Sequence, residues 1–244
     1  SSQSNAMYSL SVLAKMKGWA FEYYVQHLSS YLRDNPHGNY RYALENRMKL
    51  IVRETKPTRD EIESNEVLFI EEGGRQKESQ IGIRLLASEI KLWQMAKGMR
   101  ELNIFLPSGT GTTALFLQKH LLRIDSRYQA HVFTVPCVGD SSYLKQQFDM
   151  LDSAVLFHPT IIKPKKKYHF GKLYQDSYNI WLKLRHETGI EFDLLYDPVG
   201  WLTLLDNPQI FEKPTLYIHQ GGIIGNESML ARYQRKYGED FNQQ

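Results

Sequence analysis

The 244-residue sequence contains a single cysteine, Cys137, so no disulfide can form within the chain. A lone thiol is compatible with a reducing compartment, and we expect a cytoplasmic protein. No apolar run approaches the roughly 18 residues of a membrane-spanning helix, so no membrane partner is expected. The sequence also has no large excess of positive or negative charge, since it contains 30 Lys and Arg residues and 27 Asp and Glu residues. The net charge of +3 is too small to indicate a nucleic-acid partner.

The most informative segment that is present covers residues 102–117, LNIFLPSGTGTTALFL. It is typical of an apolar strand, a Gly/Thr-rich turn and the start of a helix. In such a turn Gly109 and Gly111 can take a positive φ angle and let the backbone approach an anion. The free N–H groups at the start of the following helix favour negative charge, and the threonine hydroxyls add donors. The segment therefore predicts a phosphate site, with an ordinary loop as the alternative.

Two familiar kinds of phosphate loop can be compared with this turn. A nucleoside triphosphatase loop ends in Gly-Lys-Ser/Thr, whereas here Gly111 precedes Thr112 and no lysine follows until Lys119. The spacing of Gly109, Gly111 and Ala114 does satisfy the dinucleotide-binding pattern. That pattern also requires an acidic residue at the end of the next strand, where the sequence has Pro-Cys-Val. A compact terminal phosphate, held by amides and hydroxyls, is the favoured ligand.

Apolar periodicity predicts alternating helices and strands along the whole chain. The predicted helices cover residues 7–17, 40–46, 58–65, 78–99, 113–122, 141–151 and 174–186, and further strands cover residues 20–25, 49–53, 67–70, 130–135, 192–196 and 215–219. This alternation predicts an α/β fold with two open, mostly parallel twisted sheets flanked by helices. A Gly-Gly pair suggests a boundary between a smaller domain, 1–74, and a larger one, 75–244. The buried stripe predicted for the long helix comprises Ile81, Leu85, Leu86, Ile90, Leu92 and Trp93.

Polar residues follow two more of the predicted strands. Tyr196-Asp197-Pro198 closes the strand 192–196, and His219-Gln220-Gly221-Gly222 closes the strand 215–219. In parallel α/β sheets, ligands bind at the carboxyl ends of strands, so these residues and the glycine turn are expected to share one site. Each group taken alone has a structural explanation: a turn, a core histidine or a chain reversal.

Five segments together resemble a known enzyme family. They are Gln3-Ser4-Asn5, Glu72-Gly73-Gly74, the loop Ser108–Thr113, Tyr196-Asp197-Pro198 and His219–Gly222. In order and approximate spacing they resemble the 1-aminocyclopropane-1-carboxylate deaminase and D-cysteine desulfhydrase family. The resemblance covers nearly the whole chain, and its specificity lies in the ordered set. It implies the tryptophan synthase β-like fold, pyridoxal 5′-phosphate (PLP) as cofactor, a small amino acid as substrate, and a homodimer.

The same resemblance implies roles for individual residues. The cofactor phosphate would be held by Ser108, Gly109, Thr110, Gly111, Thr112 and Thr113, with Gly221 also at the cofactor. Asn5 would hydrogen-bond the pyridine 3-hydroxyl, Ser4 would meet the substrate carboxylate, and Tyr196 would lie near the substrate. Asp197 falls where the family places the acidic partner of the pyridine nitrogen. A carboxylate there raises the pKa of that nitrogen and so keeps the ring electron-withdrawing.

The lysine that carries PLP in the family has no counterpart in a matching context. The family places it upstream of Gln-Ser-Asn, and this sequence begins at Ser1, so we expect a truncated and inactive chain. Lys15, Lys17 and Lys119 lie on predicted helices and are interpreted as solvated. Ser4-Asn5-Ala6 ahead of Met7 also matches the remnant of a cleaved expression tag, and this alternative stays open.

A second functional class also remains open. The chain could be a non-catalytic α/β protein that binds a sugar phosphate or nucleotide through residues 108–113, with Asp197 structural. The sequence leaves the choice of amino-acid substrate undetermined.

Overall fold

The computed structural model describes residues 1–124 and 127–237. The chain divides into two compact units, one formed by Ser1–Phe69 with Gly222–Gln244 and the other by Ile70–Gly221. The sequence-based boundary follows residue 74 instead. The observed division assigns residues 70–74 to the second unit and returns the chain to the first unit at Gly222.

Helices and strands alternate through most of the described residues. In chain order they are α1 (Asn5–Lys17), β1 (Glu22–Val25), α2 (Ser30–Asp34), α3 (Gly38–Glu45), β2 (Lys49–Val52), α4 (Arg59–Ile62), α5 (Gln80–Ala96), β3 (Glu101–Ser108), α6 (Thr112–Leu121), β4 (Gln129–Pro136), α7 (Ser141–Leu151), β5 (Thr160–Ile161), α8 (Gln175–Thr188), α9 (Asp197–Leu205), β6 (Thr215–Tyr217) and α10 (Gly225–Tyr237).

The first unit is built on a parallel pair of strands, β1 and β2, in which Glu22 lies opposite Lys49 and Val25 opposite Val52. Its core contains Met7 of α1, Tyr40 and Ala43 of α3, and Met48 ahead of β2. Helix α10 packs on α3 within the same unit. A sheet of two strands buries little apolar surface by itself. Helices α1 and α3 therefore contribute much of the apolar core that packs against β1 and β2.

The second unit contains a fully parallel sheet with the strand order β5-β4-β3-β6. Side chains of β3 alternate between its two faces, as a strand requires. Leu102, Ile104 and Leu106 join the core beneath α5 and α6. Phe105 joins a separate core on the other face, with Val199 of α9. Both faces are therefore covered by helices, which confirms the predicted α/β class with parallel sheets flanked by helices.

Two predicted strands are wrong. Residues 192–196 form no strand, and residues 67–70 contain only an isolated bridge from Ser64 to Val67. In the first segment the Asp193 carboxylate accepts hydrogen bonds from the backbone N–H groups of Leu195 and Tyr196, which diverts the donors that a strand needs. Pro198 then favours the start of α9, because proline suits the first turn of a helix.

The buried stripe predicted for the long helix is also largely wrong. Ile81, Leu85 and Leu92 are 61%, 62% and 67% exposed, and Trp93 is exposed as well. Ile90 is buried, and Leu86 packs against the core. The other buried side chains are Ala87, Lys91 and Gln94, and the last two donate hydrogen bonds to the backbone carbonyls of Tyr128 and Gln129. Apolar residues occur on both faces of α5, so periodicity alone identifies the helix but not its buried side.

None of the helices in residues 1–124 and 127–237 is both long enough and apolar enough to span a bilayer.

Gly111 provides a test of how tightly the turn before α6 is packed. Its φ angle is +75°, and a Cβ atom there would lie 2.5 Å from Phe148 Cε1 and 2.6 Å from Leu144 Cδ1. We expect Gly111→Ala to lower the free energy of unfolding by about 1 kcal/mol for backbone strain and by about 1–3 kcal/mol more for overpacking. Urea denaturation followed by circular dichroism measures the loss.

Gly189→Ala is the matched control. Gly189 has a φ angle of +68° at the end of α8, but nothing lies within 4 Å of the position that a Cβ atom would take there. This variant should show only the strain, about 1 kcal/mol. Equal losses in the two variants would contradict the packing argument.

Candidate functional site

The turn between β3 and α6 presents a row of backbone donors. Gly111 is the N-cap residue of α6 in the left-handed conformation, and Thr112 begins the helix. Within the described part of the chain, no backbone or side-chain acceptor is bonded to the N–H groups from Gly109 to Ala114. The first N–H groups of any helix lack partners inside the helix, and the positive φ angle lets the preceding loop add its own. Such a cluster of donors matches an anion.

Hydroxyl groups anchor and extend this loop. Thr134 of β4 donates to the Leu106 carbonyl at 2.8 Å, so its single proton is used. The 2.6 Å contact between the Ser108 and Thr134 hydroxyls therefore has Ser108 as its donor. The Ser108 hydroxyl therefore has no proton left to donate to a ligand. Its hydrogen bond to Thr134 holds the loop against β4. The hydroxyls of Thr110 and Thr112 lie 3.0 Å apart, and Thr112 is only 5% exposed.

Unlike Gly111, Gly109 is not required to be glycine by its backbone conformation or by its surroundings. Its φ angle is not positive, contrary to the sequence-based expectation. A Cβ atom at Gly109 would lie 3.4 Å from the Tyr196 hydroxyl. The ring of Tyr196 thus rests beside the loop, tilted against Phe170 with the centroids 5.2 Å apart. Burial raises the pKa of Tyr196, so its hydroxyl stays protonated at neutral pH and can donate a hydrogen bond.

The Gly73-Gly74 pair closes one side of the loop. A Cβ atom at Gly73 would lie 2.5 Å from Thr110 Cγ2, so only glycine permits this approach. The Thr110 hydroxyl donates a long hydrogen bond of 3.4 Å to the Gly73 carbonyl. The Gly73-Gly74 turn ahead of α5 therefore contacts the turn between β3 and α6 and belongs to the same site.

Asp197 begins α9 instead of closing a strand, and its side chain is only 1% exposed. The Tyr217 hydroxyl donates to Asp197 Oδ1 at 2.7 Å, and the Asp193 N–H donates to Asp197 Oδ2 at 3.1 Å. In return, the Asp197 N–H donates to Asp193 Oδ2 at 3.2 Å. Both carboxylate oxygens of Asp197 are thus engaged inside the second unit.

Asp193 and Asp197 form a buried pair of carboxyl groups. Burial raises the pKa of both, and the charge of Asp197 raises the pKa of Asp193 further. Two carboxylates this close cannot both ionise without a large electrostatic cost, so they titrate as a pair. Hydrogen bonds from backbone N–H groups to Asp193, and from Tyr217 to Asp197, act in the opposite direction by stabilising negative charge.

The segment after β6, residues 218–221, lies at the carboxyl end of the sheet, where the turn between β3 and α6 also lies. The Gly221 N–H donates to His219 Nδ1 at 2.9 Å, so His219 carries its proton on Nε2 and donates it to the Glu191 carbonyl at 2.9 Å. Gln220 Nε2 donates to the carbonyl of Pro107, next to the loop, at 2.6 Å. Gly221 has a φ angle of +74°, which glycine adopts without strain.

Cys137 shows no sign of acting as a nucleophile. It is 3% exposed, and its thiol points at the carbonyls of Val135 and Tyr196. Burial raises its pKa well above the ordinary value, which disfavours the reactive thiolate. Cys137 is a small residue of the core that contains Phe105 and Val199. Among the described residues there is also no group of three His, Cys, Asp or Glu side chains arranged to hold a metal.

Ser4 and Asn5 belong to the first unit. Asn39 Nδ2 donates to Asn5 Oδ1 at 2.7 Å, which orients the Asn5 carboxamide. Gly222, with a φ angle of +82°, comes so close to this carboxamide that a Cβ atom would overlap it. Ser4 is the N-cap residue of α1, and its side chain makes no capping hydrogen bond.

Two of the three lysine residues considered in the sequence analysis have side-chain partners. Lys15 donates to Asn46 Oδ1 at 3.1 Å. Lys119, expected to be solvated, instead forms an ion pair with Asp152 at 2.6 Å, and the two side chains are only 15% and 17% exposed.

Sequence reasoning missed three residues that shape the site: Asp193, Tyr217 and Thr134. Each lies in an apolar segment for which the sequence predicts a strand. The signal that could have identified these residues is a polar side chain at a strand position that is expected to be buried. Thr134 and Tyr217 bond to residues that are distant in sequence, and Asp193 bonds to backbone N–H groups close to it. Apolar periodicity does not predict either kind of contact.

Comparisons with known proteins complete this description. No family model and no curated protein matches the chain. Solved structures do: an ACC deaminase homologue has a TM-score of 0.76 at 17% identity, covering 96% of this chain and 76% of that one. A hydrogen sulfide-producing enzyme from Fusobacterium nucleatum has a TM-score of 0.55 at 11% identity, covering 88% and 74%. O-Acetyl serine sulfhydrylase isoform 3 from Entamoeba histolytica has a TM-score of 0.57 at 13% identity, covering 89% and 66%. At these identities the likeness shows a shared fold.

The buried carboxyl pair predicts a specific dependence of stability on pH. The folded-state pKa of Asp193 is raised, so its contribution to stability is complete below the unfolded pKa of about 3.9 and is lost as pH rises towards the folded pKa. We expect wild type to lose stability relative to Asp193→Asn by up to about 1.4 kcal/mol for each pH unit within that window. Urea unfolding between pH 4 and 8 measures the difference. The surface variant Asp60→Asn serves as control, and a parallel pH profile for wild type and Asp193→Asn would show that Asp193 is not the titrating group.

Proposed function

We propose that this chain has the fold and the phosphate site of a PLP-dependent enzyme that acts on a small amino acid and releases ammonia or a β-substituent such as sulfide, while the lysine that carries PLP in the family has no counterpart here in a matching context. The observation that supports this most strongly is the row of unpaired backbone N–H groups from Gly109 to Ala114. The shared fold adds support, because the similar structures are an ACC deaminase homologue, a sulfide-producing enzyme and a sulfhydrylase. We propose that the substrate is 1-aminocyclopropane-1-carboxylate, D-cysteine or a related small amino acid.

The loop fits a phosphate monoester dianion. The N–H groups of residues 109–113 and the Thr113 hydroxyl would surround its oxygens, and the first turn of α6 would add a favourable dipole. The hydroxyls of Thr110 and Thr112 would have to turn from the Gly73 carbonyl and from each other to donate to it. Ser108 would hold the loop to β4 through Thr134 and would not donate to the phosphate. PLP supplies an electron-withdrawing ring when bound. The protein's part is to hold the phosphate and to place Tyr196 beside it.

Asp197 is less well suited to the ring-nitrogen role that the family resemblance implies. Its two oxygens already accept hydrogen bonds from Tyr217 and Asp193, and 1% exposure leaves a ligand no access without a shift of the start of α9. We therefore base the proposal on the loop and Tyr196. In this arrangement Asp197 keeps Tyr217 and the end of β6 in place.

The buried state of Asp197 favours a second candidate. In a non-catalytic binder of a sugar phosphate or nucleotide, the loop would hold the phosphate and Asp197 would be structural. Both candidates share the phosphate and differ in the rest of the ligand.

A binding experiment separates the two candidates. We expect PLP to bind with at least about 100-fold lower Kd than pyridoxal, because the phosphate provides charged hydrogen bonds of about 1.5–3 kcal/mol each. Thr112→Val should raise the Kd for PLP by about 10-fold or more for the same reason. Equilibrium dialysis with PLP absorbance measures both.

Thr188→Val is the control, because the Thr188 hydroxyl bonds at the end of its own helix, where it donates to the Leu184 carbonyl and accepts from the Ile190 N–H. Its Kd for PLP should equal that of wild type. If glucose 6-phosphate or AMP displaced PLP at equal concentration, the non-catalytic binder would replace the enzyme as the preferred function. If no phosphate compound bound, both candidates would be wrong.

A further inference from the structure

The segment between Phe192 and α9 is organised by one carboxylate. Asp193 Oδ1 accepts hydrogen bonds from the N–H groups of Leu195 at 2.7 Å and Tyr196 at 2.8 Å. Asp193 Oδ2 accepts one from the Asp197 N–H at 3.2 Å. Three consecutive backbone donors therefore converge on a side chain that is only 4% exposed. Buried polar groups persist where they are hydrogen-bonded, and here every bond leads to the same short stretch of chain.

Tyr196 lies at the centre of that stretch. Its backbone has φ −103° and ψ −51°, and its carbonyl accepts a weak hydrogen bond from the Cys137 thiol at 3.8 Å. Its hydroxyl reaches Gly109 in the anion-type loop. The path from Asp193 to the loop is thus continuous: carboxylate, Tyr196 N–H, Tyr196 ring, Gly109.

We infer that Asp193 is a positioning residue, which places the Tyr196 hydroxyl against the Gly109 turn and thereby strengthens phosphate binding there. This inference rests on the proposed function for its ligand, but the positioning itself does not. A cap for α9 alone would need only the N–H of Asp197 or the residues after it. The shorter bonds go to Leu195 and Tyr196, ahead of the helix.

Cys137 provides a ligand-free readout, because it is the only thiol in the sequence and lies under Tyr196. Asp193→Ala removes both acceptor oxygens and with them all three hydrogen bonds, and we expect the Cys137 alkylation rate with iodoacetamide, without denaturant, to rise by about 10-fold or more. Asp193→Asn keeps Oδ1 as an acceptor, and its rate should stay within about twofold of wild type. Rates at several low urea concentrations separate local opening from global unfolding, since only global unfolding depends steeply on urea.

Phosphate affinity gives the second readout, with PLP and inorganic phosphate as probes in equilibrium dialysis. We expect Asp193→Ala to weaken PLP binding by about 10-fold, Asp193→Asn to restore it, and Asp193→Ala to have no further effect in the Tyr196→Phe background. Additive effects of the two substitutions would overturn the inference, because Asp193 would then act independently of Tyr196.

The two readouts keep the inference and the proposed function apart. If wild type bound neither probe, the proposed function would fail, and the alkylation rates would still decide the positioning role. Unchanged alkylation in Asp193→Ala at low urea would overturn that role even if PLP bound tightly.

Discussion

The second unit is organised around six consecutive backbone N–H groups, from Gly109 to Ala114, that have no acceptor among the described residues. Leaving donors unpaired in a partly buried turn costs free energy unless water or an anion satisfies them. The turn is nevertheless fastened on several sides. Ser108 is bonded to Thr134, Gly73 touches Thr110, and the Tyr196 hydroxyl lies beside Gly109. These contacts hold the donors in place, and a negatively charged ligand at this turn belongs to the proposed function.

The same end of the sheet contains a second arrangement that costs free energy, the buried pair of Asp193 and Asp197. Desolvation raises the pKa of both carboxyls, and neighbouring N–H groups together with the Tyr217 hydroxyl compensate part of the cost. The compensation is local: the donors come from the chain between Asp193 and Asp197 and from β6. The pair thereby links the start of α9 to the strand beside β3 and keeps Tyr196 at the loop.

Much of the fold could be predicted from the sequence, because apolar periodicity reports local structure directly. Helices α6 and α7, strand β4 and the glycine turn lie within a residue or two of their predicted bounds. The prediction failed where side chains compete with the backbone or where apolar residues occupy both faces. Residues 192–196 have a strand-like composition, but Asp193 captures their N–H groups. In α5, Lys91 and Gln94 are buried because the backbone carbonyls of Tyr128 and Gln129 accept their protons.

The sequence by itself determined the parallel α/β class and the position of the anion-type loop, since both follow from short-range patterns: alternating periodicities, and glycines that permit a positive φ angle ahead of a helix. Only the tertiary structure decided which side chains complete the site. Tyr196 meets Gly109 across 87 residues (196 minus 109), and Asp197 is engaged by Tyr217 of β6 instead of facing outward. Contacts of this kind depend on how strands order themselves in the sheet and on which polar groups find partners when buried, and neither is recorded in the local pattern of residues.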